Sequence, residues 1–545
     1  MCGLDLSLFN NKIKQCDKSK CFNSNLKISH RGPDSKNVII LDKVNAMLNF
    51  DRLAINGLSL DGNQPFSRIF NDSEYYLMCN GEIYNSDTIN DRNIIKSVSQ
   101  SDCECILNDL IINDMDININ EYNSEHAFIA MKINPDNTYK VVVSTDRFGK
   151  RPLFKGTCDK GIFFSSEVQG IPEYDDIIVE RVKPRFTYTI ERDLGGVFIQ
   201  NEREDFNFRS IKKTSDSRQN ILKNIRKLFR ESVIKRTNSD RKIGVFLSGG
   251  LDSLLVTYEL VQYYKSLGYE VYSFSTGMPG SDDEKWAKEA AEEFGTIHQH
   301  FVLTKEEYFR LLPIVVECIG SYCRTTVRAS VGQYFVSKMV SVHTDIIVLL
   351  SGDGSDELFF SYDDAFDCPS EKEFERKTIQ LLEDIHTSDG LRADRCTSHF
   401  GLEIRFPYLD NDFTDYVLSV PSEYRMPVCQ ISKPLLREAY VDLIPLKFLY
   451  RPKVTFSDGV GSKDDQIHVL IHNYFSTYYT DEEFIELSEK YSYHCKPTTN
   501  EGLYYREIFT KEFGSNESIA RTIPFEWSPE FKKSIDPSAW ACASA

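Results

Sequence analysis

Two places in this chain set a short apolar run directly before a glycine-rich turn, and no other feature constrains its fold as tightly. Residues 243–247 precede Ser248-Gly249-Gly250-Leu251-Asp252-Ser253, and a helical pattern starts at Leu254. Residues 345–350 precede Ser351-Gly352-Asp353-Gly354-Ser355-Asp356-Glu357. Between them, 271–275 reads as another buried strand. Residues 282–294 read as a helix, with Trp286, Ala290 and Phe294 spaced by four on one face. Strands alternating with helices predict a parallel sheet with helices on its faces. Ligands of such sheets bind beyond the carboxyl ends of the strands, which is where both turns fall.

The first turn has the makings of a phosphate site. Its glycines let backbone N–H groups approach an oxyanion, and the following helix adds its dipole. Ser248 and Ser253 offer hydroxyl donors, and Asp252 can hold Mg²⁺. The turn is not the GxxxxGK[ST] loop of P-loop nucleotidases. Gly459-Val460-Gly461-Ser462-Lys463 only imitates one, because no strand precedes it. A plain glycine turn of an α/β sheet is the bland alternative. Against it, the second turn sets three acidic residues beside the first, an arrangement that is costly unless cations relieve it. Mg²⁺ together with Lys433 or Arg328 would do so.

The first 205 residues have another character. Strand-like segments at 38–41, 75–79, 139–144 and 161–165 alternate with Gly, Asn, Asp and Pro clusters, the pattern of packed β-sheets. The polar stretch 212–217 reads as a linker, so the expected domains are 2–205 and 218–530. Removal of Met1 would leave Cys2 with a nucleophilic thiol and a terminal amine of pKa near ~8 that can act as base. Arg52-Leu53-Ala54-Ile55-Asn56 offers a guanidinium for a carboxylate. Asn80-Gly81-Glu82 offers amide donors for an oxyanion hole, and Asp102 offers a carboxylate for an ammonium group. The set fits glutamine.

Composition narrows the function classes. The 545 residues suffice for two domains, and a net charge of -18 argues against nucleic acid as a partner. No apolar run is long enough to cross a bilayer, and the start lacks a secretory pattern. The 14 cysteines show no metal-ligand spacing and read as reduced thiols of a cytoplasmic protein. Cys103 and Cys105 read as packing residues, and His298 and His300 as solvent or core residues.

With these strings in view, the chain resembles the glutamine-hydrolysing asparagine synthetases almost end to end. The resemblance rests on Cys2-Gly3, His30-Arg31-Gly32-Pro33-Asp34, residues 80–85, Asp146-Arg147-Phe148-Gly149, SGGLDS at 248–253, and residues 325–330 and 351–357. It continues through Leu391-Arg392-Ala393-Asp394-Arg395, residues 405–410, Lys433, Phe456-Ser457-Asp458-Gly459, Tyr504-Tyr505-Arg506 and Asp536-Pro537-Ser538. It implies an N-terminal αββα Ntn-type glutaminase sandwich joined to a parallel-sheet, ATP-pyrophosphatase-like α/β domain with added helices. It also implies that Cys2 attacks glutamine, that Asn80 and Gly81 stabilise the oxyanion, and that Arg52 and Asp102 clamp the substrate within a pocket of Leu53, Ala54, Ile55, Asn56 and Glu82. Ammonia would cross an internal tunnel to the second site. There aspartate and ATP would form β-aspartyl-AMP and pyrophosphate, and ammonia would release AMP to give asparagine. Leu247, the 248–253 loop, Thr276, Ser351 and Gly352 match the ATP contacts, and Asp252 and Asp356 match the Mg²⁺ ligands. Asp353 and Lys433 match residues that handle the intermediate, and Arg328 one that holds aspartate. The resemblance favours a homodimer.

Some positions depart from the family pattern. Asp353 stands where many relatives have Glu, Gly320 and Cys323 replace acidic residues, Thr276 replaces an aliphatic residue, and Ser361-Tyr362 replaces a Gly-Tyr pair. Two other readings therefore stay open: a relative adenylating another carboxylate, and a regulatory or interaction protein with a degraded site.

Overall fold

The computed structural model describes residues 1–193, 195–451, 459–462 and 466–531. The expectations for Phe456, Ser457, Asp458, Lys463, Asp536-Pro537-Ser538 and the tail after Pro537 lie outside the described residues. The chain forms two compact units. One holds Met1–Asn207, Asn238–Arg241 and Ser398–Glu403; the other holds Phe208–Thr237, Lys242–Thr397 and Ile404–Ala545.

The first unit is built on two six-stranded antiparallel sheets. One contains β1 (Gly3–Phe9), β2 (Ser35–Leu41), β3 (Ala46–Arg52), β8 (Phe154–Cys158), β9 (Gly161–Ser165) and β10 (Ile178–Arg181). The other contains β4 (Phe66–Phe70), β5 (Ser73–Ile83), β6 (Ser124–Ile133), β7 (Tyr139–Thr145), β11 (Phe186–Arg192) and β12 (Phe198–Glu204). Period-two alternation explains the layers. Leu4, Leu6 and Leu8 of β1 share a core with Ile129 and Met131 of β6. The opposite face of β6, through Phe128 and Ala130, packs with Ile106, Leu107 and Leu110 of helix Glu104–Ile112. On the outer face of the first sheet lies helix Gln15–Ile28. The result is the αββα order. Cys103 precedes helix Glu104–Ile112 and Cys105 lies within it; both are buried.

The second unit carries a parallel sheet of β15 (Ile297–Val302), β14 (Tyr272–Gly277), β13 (Ile243–Phe246) and β16 (Val348–Leu350), with β17 (Glu403–Arg405) bordering β16. Helix Asp282–Phe294 has the expected bounds, with the Ser281 hydroxyl accepting from Glu284 N–H at its N-terminus. Helix Leu251–Leu267 starts three residues before the expected Leu254. Its first turn belongs to the glycine loop, where local chemistry hides the apolar period. β16 is shorter than the run 345–350, because Ile347 and Val348 N–H groups both turn to Lys242 O. Residues 212–217 are irregular and lead into helix Arg218–Lys235. His298 and His300 join a hydroxyl ladder: Ser273 Oγ lies 2.8 Å from His298 Nδ1, and Ser275 Oγ 2.8 Å from His300 Nδ1. All described cysteines are free thiols, and no described helix is long and apolar enough to cross a membrane.

Candidate active sites

In the first unit Cys2 sits at the mouth of β1, against β5 and the end of β3. Its N–H donates to Asn80 Oδ1 at 2.8 Å, and Leu53 N–H points at its sulfur from 3.4 Å. Arg31 Nε donates to Cys2 O at 3.0 Å, while its Nη1 holds Glu167 Oε1 at 2.8 Å. Asn80 is fully buried, and its Nδ2 has no partner among the described residues, so an amide donor stands beside the thiol. Burial pushes the Cys2 thiol up to about 11 while Met1 precedes it. Burial also lowers the Met1 amine to about 6.

The other expected residues gather around this centre through short links. Cys103 Sγ lies 3.2 Å from Gly81 O, Asp102 Oδ2 accepts from Ile83 N–H, and Asn56 Nδ2 donates to Glu82. Ala54 N–H donates to Asp34 Oδ2 at 2.8 Å, and Ile55 O accepts from Asp240 N–H. Arg52 donates to Ser59 O at 2.8 Å, to Asn63 Oδ1 at 2.9 Å and to Gly57 O. The guanidinium expected to clamp a carboxylate thus also braces its own loop. Neither Arg31 nor Glu167 carries a local signal for this contact in the sequence; it shows only once β1 and residue 167 are adjacent.

In the second unit, Leu247, Thr276 and Ser351 stand at the carboxyl ends of β13, β14 and β16. Leu247 N–H donates to Phe274 O, Thr276 Oγ1 to Phe301 O, and Ser351 N–H to Arg405 O. The 248–253 loop is tied by Ser253 Oγ, which accepts from Ser248 N–H at 3.1 Å, and Gly250 caps the following helix. Gly352 lies against that loop so closely that a Cβ there would come within 2.8 Å of Ser253 N and 3.0 Å of the Asp252 carbonyl carbon. Both turns expected from sequence therefore meet.

At their junction Lys433 Nζ lies 2.5 Å from Asp252 Oδ1 and 2.6 Å from Asp356 Oδ1. Burial opposes the ammonium, but the two carboxylates outweigh it and hold the Lys433 pKa above its ordinary value. Ser355 Oγ also donates to Asp252 Oδ1, and Ser361 Oγ to Asp356. Asp353 is held by Arg392, whose Nη2 donates to Asp353 Oδ1 at 2.7 Å and to Asp389 Oδ1 at 2.8 Å. Burial raises the Asp353 pKa, with Arg392 pulling the other way. Glu357 is raised well above the carboxylate range by burial and by Asp389, and Tyr362 donates to it. Arg328 is engaged by Glu501, a residue without any local signal in the sequence. Val460 and Ser462 of the false phosphate loop pair with Met278 and Ser281, consistent with a structural turn.

A glutamine amidotransferase domain model matches residues 1–191, and an asparagine synthase model matches 224–380 and 367–530. The chain is 33% identical over 99% of its length to a probable glutamine-hydrolysing asparagine synthetase of Acanthamoeba polyphaga mimivirus, covering 99% of that protein. The Chinese hamster (Cricetulus griseus) and human asparagine synthetases are 33% and 32% identical, each over 99% of this chain and 98% of the relative. The chain belongs to the glutamine-hydrolysing asparagine synthetase family. Among solved structures, an allosteric regulatory enzyme of purine biosynthesis superposes at a TM-score of 0.30 with 12% identity, over 55% of this chain and 80% of that one.

Within the family frame the departures acquire local reasons. Gly320 ends helix Lys305–Ile319 in the left-handed region at φ 59°, a position that suits glycine and not an acidic residue. Cys323 is buried at the start of helix Arg324–His343, where Trp527 N–H faces its sulfur at 3.5 Å. Ser361 supplies the hydroxyl that Asp356 accepts. As for Mg²⁺, Asp252 and Asp356 converge on one cationic point and so suit a hard ion shared with substrate phosphates. Among the described residues, no group of three or more His, Cys, Asp or Glu side chains forms a self-sufficient metal centre.

Proposed function

We propose that this chain makes L-asparagine from L-aspartate, with nitrogen from glutamine and with ATP split to AMP and pyrophosphate. Loss of Met1 exposes the Cys2 amine, which takes the thiol proton as the sulfur attacks the glutamine amide carbon. Asn80 Nδ2 and Gly81 N–H receive the charge on the tetrahedral oxygen. Collapse expels ammonia, and water cleaves the thioester to glutamate. Arg52 and Asp102 hold the α-carboxylate and α-amino group.

In the second unit a β-carboxylate oxygen of aspartate forms a bond to the α-phosphorus, and the bond to pyrophosphate breaks. The 248–253 loop cradles the phosphates with Leu247, Thr276, Ser351 and Gly352 beside the nucleoside, and Arg328 orients aspartate. Asp252 and Asp356 would hold Mg²⁺, which supplies charge neutralisation on the phosphate oxygens. Lys433 is then placed to follow charge on the phosphates and the acyl phosphate. Ammonia attacks the acyl carbon, AMP leaves, and Asp353 takes up the proton that the attacking nitrogen sheds.

The observation that carries this reading is the presence, in one chain, of a buried Asn80 amide donor beside Cys2 and a Lys433-bridged carboxylate pair at the 248–253 loop. The test is an assay with ATP, Mg²⁺ and aspartate in which pyrophosphate and asparagine are followed with glutamine or ammonium chloride. Wild type should use both nitrogen sources, and Cys2→Ala only ammonium. Glutamate release without aspartate-dependent pyrophosphate would reject the asparagine reading in favour of another carboxylate.

A further inference from the structure

The outer face of the first sheet is unexpectedly polar where it meets helix Gln15–Ile28. Alternation along β1 sends Leu4, Leu6 and Leu8 inward and Asp5 toward the helix. Strand register sets Asp5 opposite Asn49 of β3 and Ser165 of β9, and places Asp51 one row away on the same face. From the helix, Asn25 Nδ2 donates to both carboxylates, at 2.7 Å to Asp5 Oδ2 and 2.9 Å to Asp51 Oδ2. The four side chains are sealed from solvent, at 4% exposure for Asp5, 0% for Asn25 and Asn49, and 1% for Asp51.

Such burial demands partners, yet among the described residues Asn25 Oδ1 and both polar atoms of Asn49 have none, and Asp5 Oδ1 finds no well-formed bond. Each orphaned polar atom costs about 1–3 kcal/mol, and their residues are neighbours, Asp5 paired with Asn49 across β1 and β3 and Asn25 bonded to Asp5, so this face asks for an occupant. Three of the four are oxygen acceptors. The pocket also holds two carboxylates against one nearby ammonium, Lys36 Nζ at 3.6 Å from Asp51 Oδ1. The deficit is one positive charge. Burial, helped by the charge of Asp51, pushes Asp5 up to about 7 against the pull of its hydrogen bonds.

We propose that this pocket binds one alkali-metal cation, K⁺ or Na⁺, between Asp5, Asn25, Asn49 and Asp51. The all-oxygen donor set excludes soft metals. Two carboxylates and two carboxamides match a single charge better than the carboxylate-rich cages that hold divalent ions. The cation neutralises the face of β1 and β3, the two strands that lead into Cys2 and Arg52, and so stiffens the frame of the first site.

The experiment uses the full-length protein dialysed into choline chloride, with thermal unfolding followed as KCl or NaCl replaces choline at constant ionic strength. The expected result is a saturable rise in unfolding temperature with K⁺ or Na⁺, whichever fits the pocket, and its loss in Asn49→Leu, which changes no charge. A response equal to that of choline, or one fully retained in Asn49→Leu, overturns the proposal. Crystals grown with Tl⁺ in place of K⁺ give an independent readout if the variant does not fold. An anomalous peak bounded by Asp5, Asn25 and Asn49 supports the site, and its absence overturns it.

Discussion

Arg328 and Glu501 form a two-pronged ion pair in the second unit: Nε donates to Oε1 at 2.7 Å and Nη2 to Oε2 at 2.6 Å, with both side chains buried. The guanidinium proposed to hold aspartate is therefore oriented by a partner from helix Asn500–Phe513. Breaking a buried pair from one side strands the other charge, at a cost of about 3–5 kcal/mol. Glu501→Ala should lose stability on that scale in chemical denaturation. Glu501→Gln, which keeps the shape, should raise the KM for aspartate more than the KM for ATP.

Asn80 offers a separate test of the first site. Its oxygen takes the Cys2 N–H and its Nδ2 is unspent. Removing one oxyanion donor typically costs ~10²–10³ in rate. Asn80→Ala should slow glutamate release by that factor, while ammonium-dependent asparagine formation persists. Equal loss with both nitrogen sources would point to misfolding instead.

Lys433 separates Asp252 from Asp356, and its backbone lies in the left-handed region at φ 57°. A longer, planar guanidinium does not substitute for a compact ammonium at such a point. Both Lys433→Gln and Lys433→Arg should reduce aspartate-dependent pyrophosphate release by ~10² or more. Glutamine hydrolysis by the first unit serves as the control for folding.

Asp353→Glu would install the residue that the family resemblance implies at this position, yet it should not improve this enzyme. Asp353 is already bonded by Arg392 and Ser351 at the length it has. An added methylene in a packed setting costs about 1–3 kcal/mol. The expected outcome is a lower kcat for asparagine formation with unchanged glutamine hydrolysis.

His126 predicts a pH dependence. It lies opposite Gly81 across β5 and β6, is fully buried, and its pKa is lowered by burial to about 3 from an ordinary 6.5. Between those values the unfolded chain binds a proton that the folded chain refuses. Stability is therefore full above pH 6.5 and falls as pH drops toward 3, by about 1.4 kcal/mol per unit from this group. Denaturation of His126→Gln between pH 8 and 5 should show a shallower loss than wild type.

Much of the architecture is legible in local pattern. The segment 161–165 and the helix 282–294 coincide with observed elements because a short apolar run bounded by turn residues and a four-residue spacing survive whatever packs on them. The start of helix Leu251–Leu267 was not legible, since a glycine-rich turn carries no apolar period. The role of Gly320 was also misleading in sequence. Under the family pattern that the resemblance implies it is a lost acid, while in the fold it is a helix terminator in a conformation that costs glycine little.

The candidate site divides along the same line. Cys2, the 248–253 loop and the 351–357 turn announce their chemistry through residue type and immediate neighbours. The sequence by itself determined those reactive groups and the strand–turn–helix units that present them. Which charges meet was decided only by tertiary structure: Lys433 finds Asp252 across 181 residues, and Arg328 finds Glu501 across 173. The same holds for Asp5, Asn25 and Asn49, whose polarity becomes significant only when two strands and a helix close over them. Electrostatic and desolvation energies depend on distance and burial, and for residues so far apart in the chain both are set by the fold.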